Sequence, residues 1–170
     1  MKKIISVLLS LMVVTLFMSA CTHNKVYGTV VVSPEKYKQI SADKKLIEKT
    51  ISGLEKFNSE NPETEKSVMR SLDALIKKGQ GKMNDSDRVK FEALLGDHKN
   101  GVKGIVKKAY THQRGFDDDL SGRIRSNMLK SIKLMTHGIT KNENDRKKIY
   151  KQVLEDTKAD KNLYKIGGNE

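Results

Sequence analysis

Leu120, Ile124, Met128, Ile132 and Met135 recur at intervals of four, four, four and three. A helix of 3.6 residues per turn puts such a series on one face, and no strand does. The series follows Asp117-Asp118-Asp119, whose carboxylates suit the positive end of a helix, and it stops near His137-Gly138. A helix with one apolar stripe must bury that stripe against other helices. This pattern commits the chain to a helical fold.

The rest of the sequence follows suit. Both prolines stand directly after a capping residue, as Ser33-Pro34 and Asn61-Pro62. A first helix is predicted over 34–57, with Tyr37, Ile40, Ile47, Ile51, Leu54 and Phe57 along its apolar side. A second begins at 62, carries Val68, Leu72, Leu75 and Ile76, and closes on Lys77-Lys78 before Gly79 and Gly81. A third begins near Asn84 or Asp85 and uses Val89, Phe91, Leu94 and Leu95. Gly96, Gly101 and Gly104 interrupt this region, so a break is expected near 96–101. A helix over 101–112 follows, with Val102, Val106, Ala109 and Tyr110 inward. Beyond the 117–137 helix, a last one is predicted over 143–157 on Ile149, Val153 and Leu154. The predicted fold is all-α, a small antiparallel bundle of five or six helices over residues 34–160. Residues 161–170, ending near Gly167-Gly168, read as a flexible tail. Residues 22–33 read as an extended arm, because Val26–Val32 is β-branched and aromatic with no obvious partner strand. Fully stretched, that arm reaches roughly 40 Å. Tyr27, Val30, Val31 and Val32 either pack on the bundle or offer an edge to a partner.

The amino terminus carries a different signal. Lys2-Lys3 precede an apolar run over 4–18, broken only by Ser6, Ser10 and Thr15. Ser19-Ala20 and the sole cysteine, Cys21, come next. This is the layout of a secretory signal. The run of about fifteen residues falls short of the roughly twenty that span a membrane. Met18-Ser19-Ala20-Cys21 resembles the lipobox of bacterial lipoproteins. That resemblance implies removal of residues 1–20, a diacylglyceryl group on the Cys21 thiol and a fatty acyl group, such as palmitate, on the new amino terminus. It implies export, a lipid anchor in a membrane, and no disulfide, since the one thiol is taken. Thr22 in place of aspartate fits sorting to the outer membrane.

The charge bounds the partners. The chain carries a net charge of +12, and about +10 once Lys2 and Lys3 leave with the signal. Such a field attracts polyanions and anionic headgroups. Nucleic acid is the poorest of these partners for an exported chain. Basic residues gather at Lys44-Lys45, Lys77-Lys78-Lys82, Lys99-Lys103-Lys107-Lys108, Arg123-Arg125, Lys130-Lys133 and Lys147-Lys148-Lys151. Lys99, Lys103 and Lys107 repeat every four residues and, with Lys108, form the candidate basic face. Like charges at that spacing repel slightly, which an anionic partner would relieve. The plainer reading is a solvated face with acids nearby.

Other groups carry less. Asp117-Asp118-Asp119 point in different directions from one helix start, so capping explains them better than calcium. His23, His98, His112 and His137 show no metal-ligand spacing. No Gly-rich phosphate loop, nucleophile elbow or zinc-ligand pair occurs, so neither an enzyme nor a cofactor or metal is expected. The Lys/Asn/Ile-rich composition and helical pattern, with the loose lipobox, also resemble the helical surface lipoproteins of Lyme and relapsing-fever spirochaetes. That likeness implies a cell-surface module binding a host protein or glycosaminoglycan through Lys99, Lys103 and Lys107. The alternative is a periplasm-facing structural lipoprotein of an envelope, secretion or conjugation assembly, with another envelope protein as partner. Neither reading implies an oligomeric state.

Overall fold

The computed structural model describes residues 23–167. The apolar leader, Cys21, Thr22 and Gly168 lie outside these residues. Within them the chain runs β1 (Lys25–Tyr27), β2 (Val30–Val32), α1 (Pro34–Glu55), α2 (Pro62–Gln80), α3 (Asp85–Leu95), α4 (Val102–Thr111), α5 (Asp118–His137), α6 (Glu143–Thr157) and α7 (Ala159–Leu163). The all-α bundle expected from the sequence is the fold, with one short helix more than six and a two-stranded sheet in front.

The helix starts are set by side chains that accept the otherwise unpaired first-turn amides. Ser33 accepts from Lys36 N at 3.3 Å, and Asn61 from Glu63 N at 3.0 Å. Asn84 accepts from Asp87 N at 2.8 Å, Asp117 from Leu120 N at 2.9 Å, and Asn142 from Asp145 N at 3.1 Å. Asp117 thus caps α5, and Asp119 pairs with Arg123 at 3.0 Å. Helical capping and pairing account for two of the three aspartates.

The stripe Leu120, Ile124, Met128, Ile132 and Met135 is buried along its whole length. It meets α3, α4, α6 and α7. Ile40, Ile47, Ile51 and Leu54 of α1 are buried, as are Val68, Leu72 and Leu75 of α2, the helix on which α1 packs. Phe91 of α3 is fully buried against Gly79. A Cβ at Gly79 would lie 2.6 Å from the Phe91 ring, so glycine is what makes room for it.

Three expectations change. The segment read as an extended arm is a β-hairpin, Lys25 pairing with Val32 and Tyr27 with Val30 around a turn at Gly28 with φ +60°. Glycine takes that left-handed backbone at little cost. Tyr27, Val30 and Val32 pack on α1 and α6, while the cross-strand pair Val26 and Val31 stays 63% and 64% exposed. The segment from 161, read as a flexible tail, is core through Ile166: Leu163 is fully buried and Ile166 is 2% exposed. Val89, read as an inward residue of α3, is 70% exposed. Phe91 and Leu95 set the inward face, and Val89 lies about 200° around the helix from Phe91.

The hairpin is held by one carboxylate. Asp156 Oδ2 accepts from the Tyr27 hydroxyl at 2.9 Å and from Lys44 Nζ at 2.5 Å, and Oδ1 accepts from Gln152 at 2.7 Å. Burial pushes the Tyr27 phenol far above its usual range, and the Asp156 charge adds to this. Burial would raise Asp156 too, but the hydrogen bonds from Lys44, Gln152 and Tyr27 together outweigh it and hold the carboxyl below its ordinary value. A depressed folded-state value stabilises the fold above the ordinary aspartate range, and the benefit is lost as pH falls through the depressed value. Hairpin docking should therefore loosen only in strong acid. Asp156→Ala should remove that pH dependence and speed amide exchange over residues 25–32 at neutral pH, as hydrogen–deuterium exchange would show. Unchanged exchange there would mean that burial of Tyr27, Val30 and Val32 suffices.

The bundle has two distinct ends. Lys36 Nζ donates to Gly138 O at 2.6 Å, so the end of α5 meets the start of α1. Lys25 sits opposite Val32, so the described chain enters at this same end. At the other end Phe57 stacks on Phe116 at 4.6 Å, and Gly167 (φ +82°) lies against the Phe116 carbonyl. There Tyr164 is 63% exposed under the Arg125 guanidinium, 3.8 Å from its ring centre.

Candidate functional site

The four lysines singled out by spacing do not form one bare stripe. Lys99 is exposed in the loop before α4, outside the helix that was to carry it. Lys103 Nζ binds Asp73 Oδ1 of α2 at 2.6 Å, with only 17% of its side chain exposed. Lys107 Nζ binds Asp97 Oδ2 at 3.0 Å. Lys108 is exposed and forms no ion pair among the described residues. Neighbouring acids thus occupy two of the four cations. His98 Nε2 lies 3.3 Å from Glu92 O and His112 Nδ1 2.8 Å from Lys108 O, which ties both rings to nearby backbone.

A different cationic site forms where α3 and α5 lie side by side. His137, the last residue of α5, reaches Asp87 at the start of α3, so the two helices run in opposite directions. Between them is an open groove of about 490 Å³, lined by Lys90, Ala93 and Leu94 on one wall and Lys130, Lys133, Leu134 and His137 on the other. Leu94 and Leu134 are half-buried apolar side chains that form its floor with Ala93. Lys90, Lys130 and Lys133 are exposed at its rim. None of the three forms an ion pair among the described residues. Lys133 acts on Glu143 at longer range, but Lys147 already holds that carboxylate at 2.9 Å.

His137 ties one wall of the groove to the other. The His137 ring N–H at Nδ1 donates to Asp87 Oδ2 at 2.9 Å, and Asn84 Nδ2 donates to the same oxygen at 3.1 Å. Asp87 is buried, so these bonds satisfy a carboxylate that would otherwise be costly. Nearby, Lys82 Nζ binds Asp43 Oδ1 at 2.6 Å. Burial raises Asp43 above its ordinary value against the pull of Lys82.

This arrangement offers apolar area flanked by uncompensated positive charge. It suits binding of an amphiphilic anion. Sequence reasoning recorded Lys130-Lys133 as one basic group among several and passed over Lys90. A local signal was present: Lys90-x-x-x-Leu94 and Lys130-x-x-x-Leu134 each stack a cation one turn from an apolar residue. That the two pairs face each other is a product of tertiary packing.

Among the described residues no group of three or more His, Cys, Asp or Glu side chains is placed to hold a metal ion. No helix among them is long and apolar enough to cross a membrane. No protein-family model, curated protein or solved structure matches the chain.

Proposed function

We propose that this chain is an exported binding module, anchored in a membrane by lipid on Cys21, that engages an anionic partner by contact and carries out no chemistry of its own. One observation carries most weight beside the lipobox-like residues. The hairpin makes the packed body begin at Lys25, four residues after Cys21. At up to 3.6 Å per residue, the leash is about 14 Å. A lipid on Cys21 would therefore keep the bundle against the headgroups.

At the cell surface the partner is a host protein or glycosaminoglycan, met by the exposed lysines, Lys99 and Lys108 among them. A second reading has the body facing the periplasm as part of an envelope, secretion or conjugation assembly. The exposed Val26–Val31 pair supports it as an apolar contact for another envelope protein. Mass spectrometry of the mature protein tests the anchor, with a triacylated Cys21 as the expected amino terminus. An unmodified Cys21, or an uncleaved chain in the cytosol, overturns it. Protease added to intact cells separates the two readings: digestion supports the surface partner, and full protection the periplasmic one.

A further inference from the structure

We propose that the groove between α3 and α5 binds an anionic membrane lipid, its acyl chain lying over Ala93, Leu94 and Leu134 and its headgroup phosphate among Lys90, Lys130 and Lys133. The groove has two chemistries side by side. Its floor is apolar, and water gains nothing by staying there. Its rim holds three lysines, from both walls, with no ion-pair partner among the described residues. A free phosphate would use the rim and leave the floor wet. A neutral acyl chain would use the floor and leave the charges uncompensated. One molecule with both parts satisfies both. The volume of about 490 Å³ lies within the range of sites that hold one small molecule. The lysine stems can lie along the floor and keep their ammonium groups at the water boundary, where phosphates sit.

Position points the same way, and here the inference rests on the anchored reading above. Lys130 to His137 spans about 10 Å of helix, ending at the end of the bundle where the chain enters. With a leash of about 14 Å, the groove opens in the half of the bundle nearest the headgroups. Attraction to an anionic surface is strong only within about one Debye length, roughly 8 Å, so that placement matters. An acidic amphipathic helix from a partner fits less well. Such a helix docks through four apolar anchors at i, i+3, i+4 and i+7, and this groove offers only Ala93, Leu94 and Leu134 to receive them.

The test uses the full protein purified from its membrane into phosphatidylcholine nanodiscs. The discs contain a minor fraction of phosphatidylglycerol with a photoreactive diazirine in its acyl chain. After irradiation, adducts should concentrate on the peptides covering 90–94 and 130–137. Lys130→Gln and Lys133→Gln should each lower the adduct yield about fivefold. Ala93→Glu, at an exposed helical position, should abolish it while helix content by circular dichroism stays unchanged. Lys108→Gln should leave it unchanged. Adducts spread evenly over the surface, or equal labelling by photoreactive phosphatidylcholine, would overturn the proposal. So would an unlabelled groove in which a chemical cross-linker instead captures an acidic protein segment. Intact mass on the same sample reads Cys21. An acylated chain with an unlabelled groove rejects the lipid site alone, and an unacylated chain with a labelled groove rejects the anchor alone.

Discussion

Gly104→Ala lowers the melting temperature of the full chain by about 4–8 °C, the size expected for a net loss of about 2 kcal/mol in a chain of this length. The cause is a close approach of main chain to main chain. The loop over 96–101 folds across the first turn of α4, and Gly104 N–H points at Gly96 O, 3.4 Å away. A Cβ on Gly104 would lie 1.9 Å from His98 O and 2.6 Å from its carbonyl carbon. No rotamer change relieves a clash with backbone, so the loop or the helix must shift. Overpacking of this kind costs about 1–3 kcal/mol and sometimes more, against about 1 kcal/mol regained from the helix propensity of alanine. Gly122→Ala in α5 is the matched control. Nothing lies within 4 Å of a Cβ there, so that variant should gain about 0.5–1 kcal/mol. Equal melting of the Gly104→Ala variant and the parent would mean that loop and helix do not meet this closely.

A chain ending at Asp160 should lose its cooperative thermal transition. The cut removes Leu163 and Ile166, both buried in the core, Leu163 on the helix that packs against α1, α5 and α6. Deleting the side chain of one buried leucine or isoleucine costs about 2–5 kcal/mol. Two such losses approach the whole stability of an ordinary domain, about 5–15 kcal/mol. Leu163→Ala alone should keep a cooperative but lowered transition, and Lys161→Ala, at an exposed site, should change little. Scanning calorimetry on the three chains decides the matter. A truncated chain that melts like the parent would show that residues 161–167 are dispensable to the core.

Most of the helical layout was legible because its signals are local. Ser33-Pro34 and Asn61-Pro62 mark the starts of α1 and α2 to the residue, and the α5 stripe is buried as its spacing requires. The misses have physical causes. Strands of three residues are too short to show alternation, so the partner of Val30–Val32, only three residues upstream, went unseen. Gly167-Gly168 suggested fraying and drew attention away from Leu163 and Ile166, which stand three residues apart just before it. Val89 is apolar, yet the rotation of α3 is fixed by the larger Phe91, which fills the space over Gly79. The basic face failed as a single stripe for a non-local reason. Asp73 neutralises Lys103 from thirty residues away, and no spacing rule within α4 reports that. The groove was half visible, as two Lys-x-x-x-Leu pairs whose juxtaposition depends on helices far apart in sequence.

The opposed ends of the bundle fix which parts an antibody can reach on an anchored chain. α1 has 22 residues and so measures about 33 Å, the approximate separation between the hairpin's entry and the Phe57–Phe116 stack. With the anchor in place, an epitope built on Tyr164 and Arg125 would stand at the end away from the hairpin, clear of the headgroups. Were the chain held by lipid on Cys21, one built on Val26 and Val31 would lie at the base, shielded until detergent extracted the molecule.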